Sequence, residues 1–252
     1  HGVGVAVTNA LSTRLEVEVV RDGGRHRLAF AGGAVIEPLQ RVGDTAKRAS
    51  GTRVRAWPDA QFFDAPTIPL GELERLLRSK AVLLPGLEIS LSIENGETKT
   101  WCFANGMQQY LAEQIDGELA GPIFTGEKFA ASGDENFPAG SGAAWALCWS
   151  SEGNLARESY VNLIPTPAGG THETGLRQAA FDAVKSFAEH HALLPKGIKL
   201  AADDVFARVS FVLAARVLDP SFQGQTKERL NSRDAVALVS RMLRDPLELW
   251  LN

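Results

Sequence analysis

The sequence predicts an α+β fold in two regions. Three observations predict it: short apolar/polar alternations closed by turn residues, separate runs with helical spacing, and a change of pattern after Asn105-Gly106. At 252 residues the chain can hold two domains with buried cores.

The first region opens on His1-Gly2-Val3-Gly4-Val5, which runs into the helix-like Val7-Thr8-Asn9-Ala10-Leu11. Leu15-Glu16-Val17-Glu18-Val19 alternates as a half-buried strand does, Asp22-Gly23-Gly24 is a hairpin signal, and Leu28 and Phe30 continue the alternation on the return strand. Thr52 to Trp57 is another strand, closed by Pro58. Leu73, Leu76, Leu77 and Ala81 recur at helical spacing, and Pro85-Gly86 stops that helix. Glu88 to Ile93 alternates into Asn95-Gly96, a strong turn, and leaves through Trp101-Cys102-Phe103. Residues 1–105 therefore read as an α/β layer with several antiparallel strands.

Residues 106–252 read differently. A helix carrying Met107, Tyr110 and Leu111 precedes a loose stretch, 117–142, rich in small residues. Strands follow at Ala143–Trp149 and Ser159–Ile164. Gly169-Gly170-Thr171-His172 then leads a helix with Leu176, Ala179, Ala180, Ala183, Val184 and Phe187 on one face, its start capped by Thr171 or His172. Asp203-Asp204 starts a short helix that hands over to a strand at Phe211–Val217.

Composition excludes some functions. A net charge of −4 argues against coating nucleic acid through the overall field, although a local basic surface stays open. No apolar run is long enough to span a bilayer and no signal-peptide pattern is visible, so no membrane partner is expected. Cys102 and Cys148 lack any CxxC or Cys/His spacing and read as buried free thiols in a reducing compartment, not a metal site. His190-His191 has no carboxylate or Cys at ligand spacing and reads as a helix C-terminal pair favoured by the dipole.

Two stretches carry candidate chemistry. Near the C-terminus, Asp219-Pro220-Ser221-Phe222-Gln223-Gly224-Gln225-Thr226-Lys227 offers two long polar side chains on a flexible backbone, suited to reaching an anion; a solvated loop lysine is the plain alternative. At the other end, the glycines among His1, Gly2, Val3, Gly4 and Val5 free backbone N–H groups at a helix start, which suits an anion such as phosphate. An ordinary glycine-assisted helix start explains the same residues. It is not the Rossmann fingerprint, because no strand precedes it and the third glycine is missing.

His1 to Val5 with Asn9-Ala10-Leu11-Ser12, then Gly51-Thr52, Trp57-Pro58-Asp59, Gly169 to His172, and Gly224-Gln225-Thr226-Lys227 together resemble the ATPase subunit of bacterial type II DNA topoisomerases, in order and approximate spacing along the whole chain. Tyr160 to Thr166, Leu176-Arg177-Gln178 and Glu228-Arg229-Leu230 are more similar to the topoisomerase IV branch of these B subunits than to the gyrase branch. Another GHKL ATPase, such as a mismatch-repair protein or a chaperone, lacks the combined GGTH and GQTK pattern. A non-catalytic binding module is a third reading.

The resemblance implies that 1–105 is the C-terminal part of a GHKL (Bergerat) ATP-binding domain, starting inside the ATP lid. It implies that 106–252 is a transducer domain similar to domain 2 of ribosomal protein S5. ATP binding would close a homodimeric gate on DNA, and hydrolysis would reset it. Strand passage (decatenation, relaxation) would be completed with the A subunit of topoisomerase IV in the bacterial cytoplasm, at the nucleoid. His1 to Val5 would cradle the triphosphate, and Gln225 and Lys227 would contact its γ-phosphate. Thr52 would join a water-bridged network to adenine, or be an edge-strand threonine without a ligand. Arg21 would lie at a pocket mouth where aminocoumarin inhibitors bind, or be a plain hairpin arginine. Arg177, Lys185, Lys196 and Lys199 would line a DNA cavity through phosphate contacts, a solvated helix face being as good an account of each lysine. The family's general-base Glu, Mg2+-holding Asn and adenine-reading Asp lie upstream of the lid. The resemblance therefore implies a fragment that holds no metal ligand and is inactive alone.

Overall fold

In the computed structural model, which describes residues 2–65 and 67–252, the alternation at Leu15–Val19 lies within a ten-residue strand, β1 (Ser12–Arg21). Asp22 and Gly23 turn it into β2 (Gly24–Ala31) with φ of 52° and 78°, the doubly left-handed turn whose twist matches a hairpin. A second such turn, Gly32-Gly33, leads to β3 (Ala34–Asp44), a strand the sequence reading passed over. Strand β4 (Gly51–Pro58) pairs on the other side of β1, giving an antiparallel sheet ordered β3-β2-β1-β4. A seven-residue helix, α1 (Gly4–Ala10), precedes it.

Pairing sorts the side chains of this sheet. Leu15 and Val17 share one face with Phe30, Leu28, Ala56 and Val54, while Glu16 and Glu18 lie opposite, beside Arg55, Arg53 and Arg27. Glu16 accepts from Arg14 at 2.7 Å and from Arg27 at 3.2 Å. The Arg14 hydrogen bond holds the Glu16 carboxyl below its ordinary range.

This sheet belongs to one compact unit, His1–Pro69; the rest of the chain, Leu70–Asn252, forms another. The second unit contains α2 (Leu70–Leu83), the hairpin β5 (Ile89–Ser92) and β6 (Thr98–Trp101), and α3 (Gly106–Gln114). Next come β7 (Phe124–Phe129), β8 (Gly142–Trp149), β9 (Arg157–Val161), β10 (Ile164–Pro165), α4 (Thr171–His190) and α5 (Ala202–Phe206). It closes with β11 (Val209–Arg216), β12 (Phe222–Gln223), β13 (Arg229–Leu230) and α6 (Asp234–Leu251). Its main sheet is ordered β10-β9-β11-β8-β7, with β9 and β11 parallel across the α4–α5 crossover and the other pairs antiparallel.

Both faces of that sheet are covered, which is why β8 and β11 read as nearly continuous apolar runs. Trp145 and Leu147 of β8 join Leu213, Leu176 of α4 and Leu243 of α6 in one core. Ala146 and Cys148, one step out of phase, join Val82 of α2 and Tyr110 and Leu111 of α3 in another. In the second core Glu158 accepts from the hydroxyls of Tyr110 at 2.5 Å and Tyr160 at 2.6 Å, so this carboxylate enters the interior with partners. Burial and the carboxylate raise both phenol pKa values.

Several sequence expectations change. Ser159–Ile164 is not one strand: Asn162 and Leu163, at φ 50° and 67°, break it into the β9–β10 turn. The loose stretch 117–142 contains β7. Asn95, at φ 59°, turns within the longer 93–97 connection between Ser92 and Thr98. Helix α6 was not anticipated at all. Cys102 is exposed, whereas Cys148 is buried and its thiol is pushed up to about 11 by desolvation. Compactness also changes hands at Pro69/Leu70 and not at 105/106, because Ala81, Val82 and Phe103 bury against Tyr110, Leu111 and Val212. Every strand of the five-stranded sheet nonetheless lies after Gly106. No helix among the described residues is long and apolar enough to cross a membrane.

Candidate functional site

Lys227 sits in the loop of a small hairpin. Phe222 pairs with Leu230 and Gln223 with Arg229, so residues 224–228 form the connection. Gly224 (φ 77°) and Lys227 (φ 58°) both adopt left-handed backbone, comfortable for glycine and costing a lysine roughly 1 kcal/mol. Gln225 is exposed and Lys227 half-buried, its ammonium 6.0 Å from the centroid of the Phe222 ring. Lys99 and Lys185 pair with carboxylates, and Lys227 is not among the lysines that do so within the described residues. The hairpin thus presents a cation and a neutral amide within three residues of each other.

The GGTH segment lies against the foot of this hairpin. Ala168 N–H donates to Glu228 O at 3.0 Å, Leu230 N–H donates to Gly169 O at 3.1 Å, and Gly170 bridges Leu230 in parallel fashion. Arg229 Nη1 adds a bond to Ala168 O at 3.0 Å. The expected cap of the following helix is not there. Gly170 itself is the N-cap, with no side-chain bond, and the Thr171 hydroxyl is buried without a partner.

His172 is instead fully buried. Its Nε2 lies 3.0 Å from Thr166 Oγ1, which lies 2.7 Å from Ser159 Oγ, which donates to Glu173 Oε1 at 2.5 Å. A carboxylate only accepts, so it orients this chain: Ser159 donates to Glu173, Thr166 to Ser159, and His172 Nε2–H to Thr166. Nδ1 is then a bare acceptor without a partner. Burial pushes the imidazole down to about 4. The sequence reading missed Ser159, Thr166 and Glu173, and no local spacing links them: β9, the β10–α4 connection and α4 bring them together.

The remaining expected residues lie as follows. His1 falls outside the described residues. Gly2 has φ 72°, which favours glycine, and Val3, Gly4 and Val5 are exposed at the start of α1. Thr52 is exposed on β4 opposite Val19, and Arg21 lies two residues beyond Val19 on β1, so both belong to the apolar face on adjacent rungs. Arg21 is exposed and pairs with Asp22 at 3.3 Å. Arg177 is engaged, bonded to Asp203 and stacked 5.5 Å from the Phe206 ring. Lys185 lies 3.9 Å from Glu189 on the same helix, and Lys196 and Lys199 are exposed on the connection after α4. His190 ends α4 as expected, and His191 Nε2 meets Asn252 Oδ1 at 3.0 Å. A groove of about 540 Å3 in the second unit, lined by Met107, Phe129, Leu163 and Val217 among others, includes none of the expected site residues. Among the described residues no cluster of three or more His, Cys, Asp or Glu could hold a metal ion.

The family model described as DNA gyrase B matches residues 106–252. Over the whole chain, the B subunit of DNA topoisomerase 4 from Escherichia coli (strain K12) is 46% identical, as is that of Pseudomonas aeruginosa PAO1, and in each case the chain spans 39% of the relative's length. Among solved structures, the topoisomerase IV ATP-binding domain of Francisella tularensis, in complex with a small-molecule inhibitor, matches with TM-score 0.81 and 37% identity, covering 100% of this chain and 67% of that one. The 43K ATPase domain of Thermus thermophilus gyrase B, in complex with an aminocoumarin, matches with TM-score 0.83 and 28% identity, covering 99% of this chain and 66% of that one. The mixed α and β fold of this chain is thus that of the GHKL ATPase domains of topoisomerase IV and gyrase B. The family model covers more than half the chain and relatives align along all of it: the chain belongs to the DNA gyrase B family.

Proposed function

We propose that this chain is the ATPase-gate portion of a bacterial type II DNA topoisomerase B subunit, of the topoisomerase IV kind. It would couple ATP binding and hydrolysis to dimer closure and DNA strand passage. The observation that carries this is 46% identity to topoisomerase 4 B subunits along the full chain, through both compact units. The gyrase B reading is second, favoured by the family model and the Thermus thermophilus neighbour.

In this reading residues 1–105 complete the GHKL nucleotide domain and 106–252 are the transducer, a division supported by the family model beginning at Gly106. The N–H groups of Gly2 to Val5, with His1, cradle the triphosphate. Thr52 supplies a hydroxyl toward adenine through water, and Arg21, on the same sheet face, stands at the mouth where an aminocoumarin docks. Lys227 places a point charge on a γ-phosphate oxygen and stabilises charge that grows there during phosphoryl transfer, with Gln225 as a neutral donor. Left-handed backbone at Lys227 supports a functional loop, since such strain persists where a side chain must be aimed. Mg2+ would neutralise the phosphates when bound, held by a ligand in the upstream part of the longer protein. Lys185, Lys196 and Lys199 contribute sequence-independent phosphate contacts to a DNA cavity, and Arg177 does so only by leaving Asp203. The A subunit of topoisomerase IV is the DNA-cleaving partner, and the assembly works in the cytoplasm on nucleoid DNA.

Two measurements on the full-length protein test this. Assembled with its DNA-cleaving partner, it decatenates and relaxes DNA; ATP-driven negative supercoiling would favour the gyrase reading. Lys227→Ala lowers ATP hydrolysis by about a hundredfold or more while leaving most ADP binding, as expected for a lost charge-assisted contact to the transition state. Wild-type turnover in that variant would refute the loop's role.

A further inference from the structure

We propose that Gly170 is a positioning residue for Lys227. The Ala168–Gly170 segment, anchored from behind by the buried Ser159–Thr166–His172–Glu173 chain, holds β13 in the register that presents the lysine. This deepens the nucleotide-contact reading of Lys227 and rests on it.

The hairpin is too small to hold itself. Its strands are two residues long, and an isolated ribbon of that size is unstable in water. What fixes it is a third backbone segment. Ala168 N–H bonds to the carbonyl of Glu228, the residue next to Lys227, and Leu230 N–H bonds to Gly169 O. Leu230 is itself fully buried in the main core.

Glycine is required at this junction. Gly170 has φ 144°, and a Cβ there would run into Leu230 O and stand 2.6 Å from Leu230 N. Those atoms are backbone of β13, so an added methyl displaces the strand, and no side chain can rotate to relieve it. One residue earlier, a Cβ on Gly169 (φ 66°) would stand 2.6 Å from Glu173 Oε2, the carboxylate that closes the buried chain. The glycine pair is thus pressed between the polar network on one side and the strand leading to Lys227 on the other. His172 and Thr166 act on the loop only through this segment.

Steady-state ATP hydrolysis by the full-length protein tests it, with thermal unfolding followed in parallel. Gly170→Ala shifts β13 and lowers kcat by about tenfold to a hundredfold, the cost of misplacing a reacting group by around an ångström, with KM for ATP within about twofold. In a Lys227→Ala background the same substitution lowers kcat far less, because no ammonium is left to misplace and only the weaker Gln225 contact remains on the loop. A merely structural defect would multiply in both backgrounds. Arg229→Ala removes an exposed contact to Ala168 O and carries the test should Gly170→Ala not fold. It lowers kcat by about threefold to tenfold, the range for one hydrogen bond, and Arg229→Lys restores most of the loss. Folded Gly170→Ala or Arg229→Ala enzymes with wild-type kcat, or losses that multiply in the Lys227→Ala background, overturn the proposal. If Lys227→Ala itself turns over normally, the nucleotide-contact reading fails first and takes this one with it.

Discussion

Protonation of His172 is expected to weaken this fold in acid. His172 is fully buried, its Nε2 is spent on Thr166, and its Nδ1 has no partner to receive a second proton's charge. The network's carboxylate, Glu173, is two hydroxyls away, so no anion meets the ring directly. Burial therefore lowers the folded value from an ordinary 6.5 to about 4. A base depressed in the folded state is protonated first in the unfolded chain. The stability that neutral His172 contributes is expected to be present above about pH 6.5, to fall as pH drops toward 4, and to level off below it. At about 1.4 kcal/mol per tenfold change in proton affinity, the total is about 3 kcal/mol, of which about 2 kcal/mol is gone by pH 5. The assay is urea unfolding at pH 7.5 and pH 5, read by tryptophan fluorescence, to which the buried Trp145 contributes. His172→Gln is the comparison, because its amide N–H can serve Thr166 but does not titrate in this range. Carboxylate contributions are common to both proteins. Wild type is expected to lose about 2 kcal/mol more than His172→Gln between the two pH values. Parallel losses in the two proteins would refute a neutral, desolvated imidazole.

Lys227→Arg is expected to rescue little of the Lys227→Ala defect, since a planar fork does not replace a point ammonium, and Gln225→Ala to act in the same direction more weakly; ATPase rates check both. A thiol reagent under native conditions is expected to modify the exposed Cys102 rapidly and Cys148 only on unfolding, because Cys148 is buried with its pKa pushed up to about 11; peptide mass analysis distinguishes them. Leu243→Ala, at a fully buried α6 position facing the sheet, is expected to cost about 2–5 kcal/mol in a denaturation series; a loss below about 1 kcal/mol would mean α6 does not seal this core.

What the residues determine alone is whatever short-range chemistry decides. Asp22-Gly23 can take the left-handed pair of angles a tight hairpin needs, and Glu/Val alternation in β1 can satisfy only a sheet with one apolar face. Leu176, Ala179, Ala180 and Ala183 mark one helical stripe, and all are buried on α4. Helix α6 was legible by the same rule, with Ala235, Leu238, Val239, Met242 and Leu243 at helical spacing, and all of them are buried. Pro246, three residues beyond Leu243 in the same helix, has the local chemistry of a helix breaker and masks the pattern. The motif order along the chain likewise carried the family. Other features depend on distant partners. No local pattern says that β9 runs parallel to β11, that α2 packs with the later unit through Val82, or that Leu163 turns left-handed. His172 looked like a capping or loop residue because GGTH is polar and glycine-rich. Tertiary packing buried it, since the hydroxyls that make burial tolerable come from Ser159 and Thr166, out of view of any helix-cap rule. The second glycine of that motif is explained only by Leu230, far along the chain, whose carbonyl occupies the space where a Cβ would be.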